Sequence, residues 1–299
     1  MNALRFQAKS YTIADVFDLV FPYDAKSNRY LCMVYHCFLD DSKDRHQTKL
    51  MVSAGFFGTK DDWSNLRAGW ARILRKHGIE YFKSSEYYRL SGQFSKFKSG
   101  EYPPPRGREA AEQIRSELQA KLEQCPNIYG IGVMVLLEDY KRVLSRPEAQ
   151  RVIPLDPYHT ALDSVIYETV KAVNRRPGPN VVAFVHDDGP DFASLEVSYR
   201  KFRDKNPKTA RSLGGFAGLD DRQHPPLQAA DMVSNYAMQL GLKALAKGGT
   251  ALTAVCKEMT ANIRKLAYWD ENYILSYLKS QLVHRKLPIP IDLQDERYN

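Results

Sequence analysis

The residues of this sequence with the clearest chemical potential are two adjacent carboxylates, Asp40 and Asp41. They follow residues 31–39, a mostly apolar run that favours an extended chain and is too short for a typical buried helix. A near-continuous apolar strand is usually covered on both faces, so we expect this strand in the middle of a sheet. A carboxylate at its carboxyl end would lose solvation and would need a proton, a cation or a metal ion as its partner.

Two further acidic sites come from separate parts of the chain. The apolar residues 181–185 lead to Asp187 and Asp188, which repeats the arrangement of an apolar strand that ends in two aspartates. Asp231 follows the consecutive prolines at 225–226, and proline suits the first turn of a helix. At helical spacing Asp231 lies on a half-apolar face, where a carboxylate is unusual unless it has a partner.

Carboxylates that converge from separate elements repel one another and so favour a hard cation with oxygen ligands. We expect one or two Mg²⁺ or Mn²⁺ ions, which could activate water and stabilise the attacking and leaving oxygens of a phosphodiester. The candidate metal ligands are Asp40, Asp41, Asp187, Asp188 and Asp231. The candidate catalytic residues are the first acid of each site and one further acid: Asp40, Asp187, Asp231 and Glu86.

The composition of the 299-residue chain favours a polyanionic partner. Its formal net charge is +8 and its pI is about 9.1, which agrees with binding to DNA or RNA, although basic enzymes are common. Residues 93–108 are proline-containing and basic, and we predict a mobile flap there that grips a nucleic-acid strand with the help of nearby aromatic residues. The candidate substrate-binding residues are Lys83, Gln228, Lys96, Lys98 and Arg106.

The cysteines and the hydropathy pattern bear on location. The four cysteines show neither a CxxC pair nor zinc-ligand spacing, and we interpret them as buried thiols in a reducing compartment. No apolar run approaches about eighteen residues, and the N-terminus has no signal-peptide pattern. We therefore expect a cytoplasmic protein with no membrane partner, while the oligomeric state stays open.

The order of predicted elements defines the fold class. Two early strands, near residues 31–39 and 49–57, precede alternating helices and strands, which suggests an α/β mixed sheet with helices on both faces. We expect helices near residues 59–76, 109–123, 156–170, 192–202 and 225–246, and strands near 129–137, 181–185 and 213–216. The predicted organisation is an N-terminal helical extension at 1–28, one central domain at 29–246 and a C-terminal helical extension at 247–299.

Each candidate residue also has a structural interpretation. The aspartate pairs at the two strand ends are compatible with turns, where Asp is common, and Gln228 could simply hydrogen-bond a backbone group. His186 and His224 are candidates for proton transfer near the site, yet a lone His is more often structural. Asp220 and Asp221 stand in a polar stretch, and we expect them to be solvated loop residues without a catalytic role.

Four motifs of the sequence resemble the domain-of-unknown-function 3800 family of bacterial and phage proteins. The opening strand of that family ends in Asp-Glu-Ser, and a late strand ends in Asp. A central aromatic segment with an acidic residue precedes Gly-x-Phe, and a Pro-Leu-Gln-x-Ala-Asp signature follows later. The similar segments here are residues 40–42, 184–188, 82–86 with 92–94, and 226–231.

The resemblance spans residues 30–236 and implies an RNase H-like (retroviral integrase-like) fold with a metal-dependent nuclease site. Asp41 stands where the family usually has Glu, Lys43 where a Gly often follows the Ser, and Lys83 where many members carry His. A lysine at this last position argues against a metal ligand there and favours a phosphate contact. Two other functions stay open: a catalytically silent nucleic-acid-binding protein and, less favoured, a glycoside hydrolase with two carboxylates as acid and base.

Overall fold

The computed structural model describes residues 33–44, 46–98, 105–247 and 262–294. The expectations for residues 1–28, including a helix near 12–20, and for the start of the C-terminal tail lie outside the described residues. Within these ranges the chain forms six strands in one sheet and ten α-helices.

The strands are β1 (Met33–Lys43), β2 (Leu50–Thr59), β3 (Tyr129–Leu136), β4 (Asn180–Asp187), β5 (Leu213–Leu219) and β6 (Ile263–Trp269). The helices are α1 (Lys60–Lys76), α2 (Ser84–Arg89), α3 (Arg106–Glu123), α4 (Leu137–Leu144), α5 (Pro147–Gln150), α6 (Pro157–Asn174), α7 (Phe192–Lys205), α8 (Pro207–Ala210), α9 (Pro225–Ala246) and α10 (Glu271–His284). Short 3₁₀ helices occupy Gly92–Phe97, Asp221–Gln223 and Ile291–Leu293.

The sheet is mixed, with the strand order β5-β4-β1-β2-β3-β6. β1 pairs antiparallel with β2, and β2 pairs antiparallel with β3. On the other side of β1, β4 runs parallel to it and β5 runs parallel to β4. β1 is therefore the strand at which the antiparallel half of the sheet meets the parallel half.

Helices cover both faces of the sheet, and each face has its own apolar core. One core joins Phe38 of β1 to α1, α3 and α9, while the other joins Leu39 to α6, α7 and α10. Adjacent residues of one strand thus serve opposite cores, as the alternation of side chains along a strand requires. The predicted α/β class, with a mixed sheet and helices on both faces, is confirmed.

Local sequence signals explain several element boundaries. Thr59 starts α1 with a capping box, in which Thr59 and Asp62 each accept a hydrogen bond from the backbone of the other. Just after this helix Gly78 takes a φ of 61°, a conformation that glycine adopts without steric cost. Asp156 caps α6 through the backbone N–H of Tyr158, ahead of a proline at the first helical position.

Two predicted features differ in the structure. Residues Ile263–Trp269 form β6, which pairs in parallel with β3, so this part of the tail belongs to the central sheet and is not a helical extension. The described part of the predicted flap is also ordered into a 3₁₀ helix, Gly92–Phe97, and the first turns of α3. Within the described ranges, no helix combines the length and apolar character needed to cross a membrane.

Candidate functional site

Asp40 and Asp187 lie side by side near the carboxyl ends of two neighbouring parallel strands. β1 pairs with β4, and the last paired residues are Leu39 and His186. The next residue along each strand is Asp40 on β1 and Asp187 on β4. Because neighbouring strands lie about 4.8 Å apart and side chains alternate between faces, the two carboxylates reach the same volume on one face.

Asp231 reaches this face from helix α9. It is 8% exposed, and its carboxylate accepts a hydrogen bond of 2.5 Å from the backbone N–H of Ser84. One turn later along α9, the Ser234 hydroxyl donates to a carboxylate oxygen of Asp40 at 3.3 Å. The first half of α9 thus supplies one carboxylate and contacts a second through a serine.

Asp41 belongs to the opposite face of β1, as alternation requires. Its carboxylate accepts a hydrogen bond from the hydroxyl of Tyr158 on α6. The same hydroxyl lies 3.1 Å from His186 Nε2, and His186 Nδ1 lies 3.0 Å from the backbone oxygen of Asp187. His186, a candidate for proton transfer, therefore belongs to a hydrogen-bonded chain between Asp41 and the end of β4.

Asp221 corrects the prediction of a solvated loop. Its neighbour Asp220 is exposed, but Asp221 is only 4% exposed and its carboxylate lies 2.6 Å from Lys83 Nζ. The backbone N–H of Asp221 also donates to the Asp187 carboxylate at 3.2 Å. The 3₁₀ turn at this point lies against the end of β4, which brings a half-buried ion pair to the site.

These residues surround one cavity of about 300 Å³, which we call the acidic cleft. Its lining combines both faces of the strand ends with α2, α6 and α9. The charged and polar lining residues are Asp40, Asp41, Ser42, Lys43, Lys83, Ser85, Tyr158, His186, Asp187, Asp191, Asp221, Asp231 and Asn235. Most of the predicted metal ligands and one predicted substrate-binding residue, Lys83, therefore line the same space.

The surroundings in the acidic cleft disfavour the ionised form of two of its carboxyl groups, Asp40 and Asp231. Burial raises the pKa of the Asp40 carboxyl well above its usual range, and the charges of Asp231 and Asp41 raise it further. Burial also raises the pKa of Asp231, although the Ser84 N–H hydrogen bond acts in the opposite direction. Each carboxylate would therefore gain stability from a positive charge placed between them.

Lys83 supplies part of that positive charge. Burial alone would lower the pKa of Lys83, but the hydrogen bond to Asp221 and the charges of Asp221, Asp187 and Asp231 together outweigh it, so the pKa of the ammonium is raised and it stays charged. Burial dominates at the partner, where it raises the pKa of Asp221 despite the hydrogen bond from Lys83. One lysine therefore does not neutralise the cleft.

The donor chemistry of the cleft fits a hard cation, because the converging groups are carboxylate oxygens. Asp40, Asp187 and Asp231 are the residues that could hold Mg²⁺ or Mn²⁺, with Asp41 on the adjoining face. In the described parts of the chain, no three or more His, Cys, Asp or Glu side chains already form a metal-binding group. Two of the carboxylates instead hydrogen-bond to Ser84 and Ser234.

Two predicted acidic candidates lie outside the cleft. Glu86 accepts hydrogen bonds from the Tyr81 hydroxyl at 3.0 Å and from the Gln93 backbone N–H at 2.8 Å. A side chain on Gly92, which has a φ of 51°, would collide with this carboxylate, so Glu86 closes a tight turn. Asp188 is exposed and does not line the cleft, which leaves Asp187 as the residue of that pair at the site.

Gln228 was a candidate for substrate binding, but it hydrogen-bonds backbone groups, as its structural interpretation predicted. It is 1% exposed, and its side-chain oxygen accepts hydrogen bonds from Trp70 Nε1 at 2.8 Å and from the Phe82 N–H at 3.1 Å. Its amide nitrogen donates to the backbone oxygens of Asp221 and Arg222 at 3.0 and 3.2 Å. Gln228 therefore joins α1, the segment before α2 and the 3₁₀ turn, and has no capacity left for substrate.

The described part of the predicted basic grip, residues 93–98 and 105–108, does not line the cleft. Lys96 Nζ donates to the backbone oxygens of His77 and Gly78 at 2.6 and 2.9 Å, where it completes the end of α1. Lys98 and Arg106 are exposed and do not line the cleft. Three of the nearby aromatic residues are core residues with at most 4% exposure: Tyr87, Phe94 and Phe97.

Sequence reasoning missed Tyr158 and Asp221 as site residues. Tyr158 stands in the first turn of α6, directly after the Asp-Pro signal that was used only to start the helix. Asp221 was set aside for its polar neighbours, although it lies seven residues before Gln228 of the family-like motif. Neither residue has a sequence signature of its own, because contact with the cleft comes from the packing of α6 and α9 on β1 and β4.

Comparison of the chain with protein-family models gives no match, and comparison with curated proteins gives no similar sequence.

Proposed function

We propose that this protein is a nuclease of RNase H-like fold that cleaves DNA or RNA phosphodiesters with Mg²⁺ or Mn²⁺. The observation that carries the proposal is the side-by-side position of Asp40 and Asp187 at the ends of parallel strands, with Asp231 of α9 on the same cleft. In open α/β sheets, ligands bind in the crevice outside the carboxyl ends of the strands, at the point where the strand order reverses. The order of an antiparallel β1-β2-β3 unit followed by parallel β4 and β5 agrees with an RNase H-like sheet.

The residues of the cleft would have different roles in such a reaction. Asp40, Asp187 and Asp231 would hold the cation, which supplies an activated water and charge stabilisation at the phosphate oxygens. Lys83, charged and partly exposed beside Asp221, would orient a phosphate group. Tyr158 fixes one oxygen of Asp41 by its hydrogen bond, and the other oxygen lies 3.8 Å from Lys43 Nζ.

Cleavage of labelled DNA and RNA oligonucleotides in Mn²⁺ by adjacent-residue variants tests the proposal. Asp187→Asn should lower the cleavage rate by more than about 100-fold, since even residues behind metal ligands typically contribute 10–100-fold. Asp188→Asn makes the same chemical change at the exposed neighbour outside the cleft and should stay within about twofold of wild type. Asp231→Asn should behave like Asp187→Asn.

Two results would contradict the proposal. One is equal activity of Asp187→Asn and Asp188→Asn, which would remove the cleft from the reaction. The other is oligonucleotide cleavage that persists in EDTA, which would mean that the phosphodiester is hydrolysed without a metal ion.

A further inference from the structure

A second cavity, larger than the acidic cleft, lies on the other side of the segment that precedes α2. Its volume is about 600 Å³, and α1 forms one wall while the 3₁₀ turn before α9 forms the other. We call it the arginine groove. Its lining residues are Arg67, Ala68, Ala71, Leu74, Arg75, Ile79, Glu80, Arg222, Gln223, Pro225 and Gln228.

The charged residues of the arginine groove are mostly cationic. Arg67 and Arg75 come from α1 and Arg222 from the 3₁₀ turn, and Glu80 is the acidic residue among the described lining. None of the three arginines forms an ion pair with a carboxylate of the described chain. One guanidinium group can donate two parallel hydrogen bonds to the oxygens of one phosphate. This groove therefore suits an anionic ligand with several phosphates.

The surface between these arginines is apolar. Ala68 and Ala71 of α1 and Pro225 are its accessible apolar residues, while Leu74 and Ile79 also line the groove but are only 3% exposed. A flat heterocyclic base could pack against this surface while its phosphates contact the arginines. Arg222 lies over the ring of Tyr81, 5.6 Å from its centroid, although Tyr81 is not itself a lining residue of the groove.

Among the described residues, the groove and the cleft have no lining residue in common, but two segments of the chain connect them. The residues between Ile79 in the groove and Lys83 in the cleft form one short extended segment, at most about 14 Å long. Asp221 and Arg222 are consecutive residues, one in each cavity, and Gln228 hydrogen-bonds both backbone oxygens. A single strand rises about 3.4 Å per nucleotide when stacked, so about four nucleotides would connect the two cavities.

We infer that the arginine groove binds an unpaired stretch of the nucleic-acid substrate about four nucleotides from the bond that is cleaved. The inference rests on the proposed function for its choice of ligand. The groove requires exposed bases because its apolar surface lies between the arginines, and paired bases cannot reach it.

Charge reversals on one face of α1 test this inference in the full chain. Arg75→Glu alters an exposed groove residue, and Arg72→Glu makes the same change at an exposed residue of α1 outside the groove. Binding of fluorescein-labelled dT₁₂, U₁₂ and a 12-base-pair duplex is measured by anisotropy in EDTA, so that nothing is cleaved. Arg75→Glu should weaken binding of the single strands about five- to tenfold and reduce the log–log salt slope by about 0.7.

The control and the folding check make the result unambiguous. Arg72→Glu should bind within about twofold of wild type. Arg67→Glu should repeat the loss seen with Arg75→Glu, and thermal melts of all variants verify that they are folded. Arg75→Gln, which removes the charge without reversing it, should give a smaller loss in the same direction.

Equal binding by Arg75→Glu and Arg72→Glu would overturn the inference, as would a larger loss on the duplex than on the single strands. Wild type that binds dT₁₂ or U₁₂ through Arg75 but cleaves neither in Mn²⁺ would overturn the proposed nuclease function and leave the groove intact. If wild type cleaves the oligonucleotides and Arg67→Glu and Arg75→Glu cleave and bind them equally well, the groove inference is wrong and the proposed nuclease function stands.

Discussion

Asp40 and Asp44 stand close together on the chain, and both are largely shielded from water, yet their surroundings are opposite. Asp44, 7% exposed, accepts hydrogen bonds from the backbone N–H groups of Thr48, Lys49 and Leu50 at 3.0, 2.9 and 3.1 Å. Burial would raise the pKa of Asp44, but these donors hold it below its usual value. Around Asp40 the neighbours are other carboxylates, and the pKa is raised.

The difference separates a carboxylate whose charge the fold itself satisfies from one whose charge it leaves opposed. The charge of Asp44 is satisfied by the turn that it organises, so it needs nothing from outside the chain. The charge of Asp40 is opposed by Asp231 and Asp41, and burying like charges together lowers stability unless a cation arrives. Binding sites are often placed where such a cost is tolerated.

Removing each carboxylate should show this contrast most strongly. Asp44→Ala should lower the free energy of unfolding by about 3 kcal/mol, because several backbone donors, including the buried N–H of Leu50, lose their acceptor. Asp40→Asn should leave stability unchanged or slightly higher in EDTA, because it removes charge repulsion. Urea denaturation at pH 7 measures both values.

The pH dependence gives the control for Asp44. A carboxyl group with a lowered pKa stabilises the fold above its unfolded pKa, near 4, and this contribution is lost as the pH falls. The stability gap between wild type and Asp44→Ala should therefore shrink below about pH 4. Two results would contradict the contrast between Asp40 and Asp44. One is a large loss of stability in Asp40→Asn, and the other is a stability difference between wild type and Asp44→Ala that does not change with pH.

Asp163 sharpens the comparison, because it resembles Asp40 in burial but lies outside the cleft. Burial raises the pKa of Asp163 to about 7, and its hydrogen bond from Ser198 is long, at 3.5 Å. A raised folded pKa means that stability is highest below about pH 4 and falls as the pH rises towards 7. Asp163→Asn should therefore be more stable than wild type by about 2 kcal/mol at pH 8 and equal to it near pH 4.

Chemical denaturation across this pH range measures the effect, and oligonucleotide cleavage at pH 8 should remain at the wild-type rate. A strong loss of cleavage in Asp163→Asn would mean that Asp163 takes part in function although it does not line the cleft.

The smallest expected effect concerns Asp221, which lies between the two extremes because Lys83 partly satisfies it. Asp221→Asn should cost about 1 kcal/mol, less than a fully buried pair, since the Lys83 side chain is 29% exposed and Asp187 and Asp231 remain nearby. Asp220→Asn, at the exposed neighbour, should cost less than about 0.5 kcal/mol. Of these two variants, only Asp221→Asn should change the binding of an oligonucleotide in EDTA, because it removes the carboxylate that pairs with Lys83. Equal binding by both variants would mean that Asp221 is a loop residue without a role in the site.

Much of the sheet could be predicted from local pattern. The apolar run before Asp40 and the repeat of that pattern before Asp187 identified β1 and β4, and Thr59 and Asp156 marked helix starts that the structure confirms. Strand β6 could not be recognised in the same way. Arg264 and Lys265 are adjacent charged residues and are followed by the adjacent apolar residues Leu266 and Ala267, so the segment shows no strict alternation. Its pairing with β3 is a long-range contact.

The sequence by itself determined that acidic residues follow two apolar runs and that a third lies on a half-apolar helix face, because side-chain periodicity is a local property. Only the tertiary structure decided which of them meet. Parallel register aligned Asp40 with Asp187, alternation turned Asp41 to Tyr158, and the 3₁₀ turn brought Asp221 to Lys83. Glu86 and Gln228 were instead used to hold backbone segments together, since buried N–H and C=O groups must find partners wherever the chain packs.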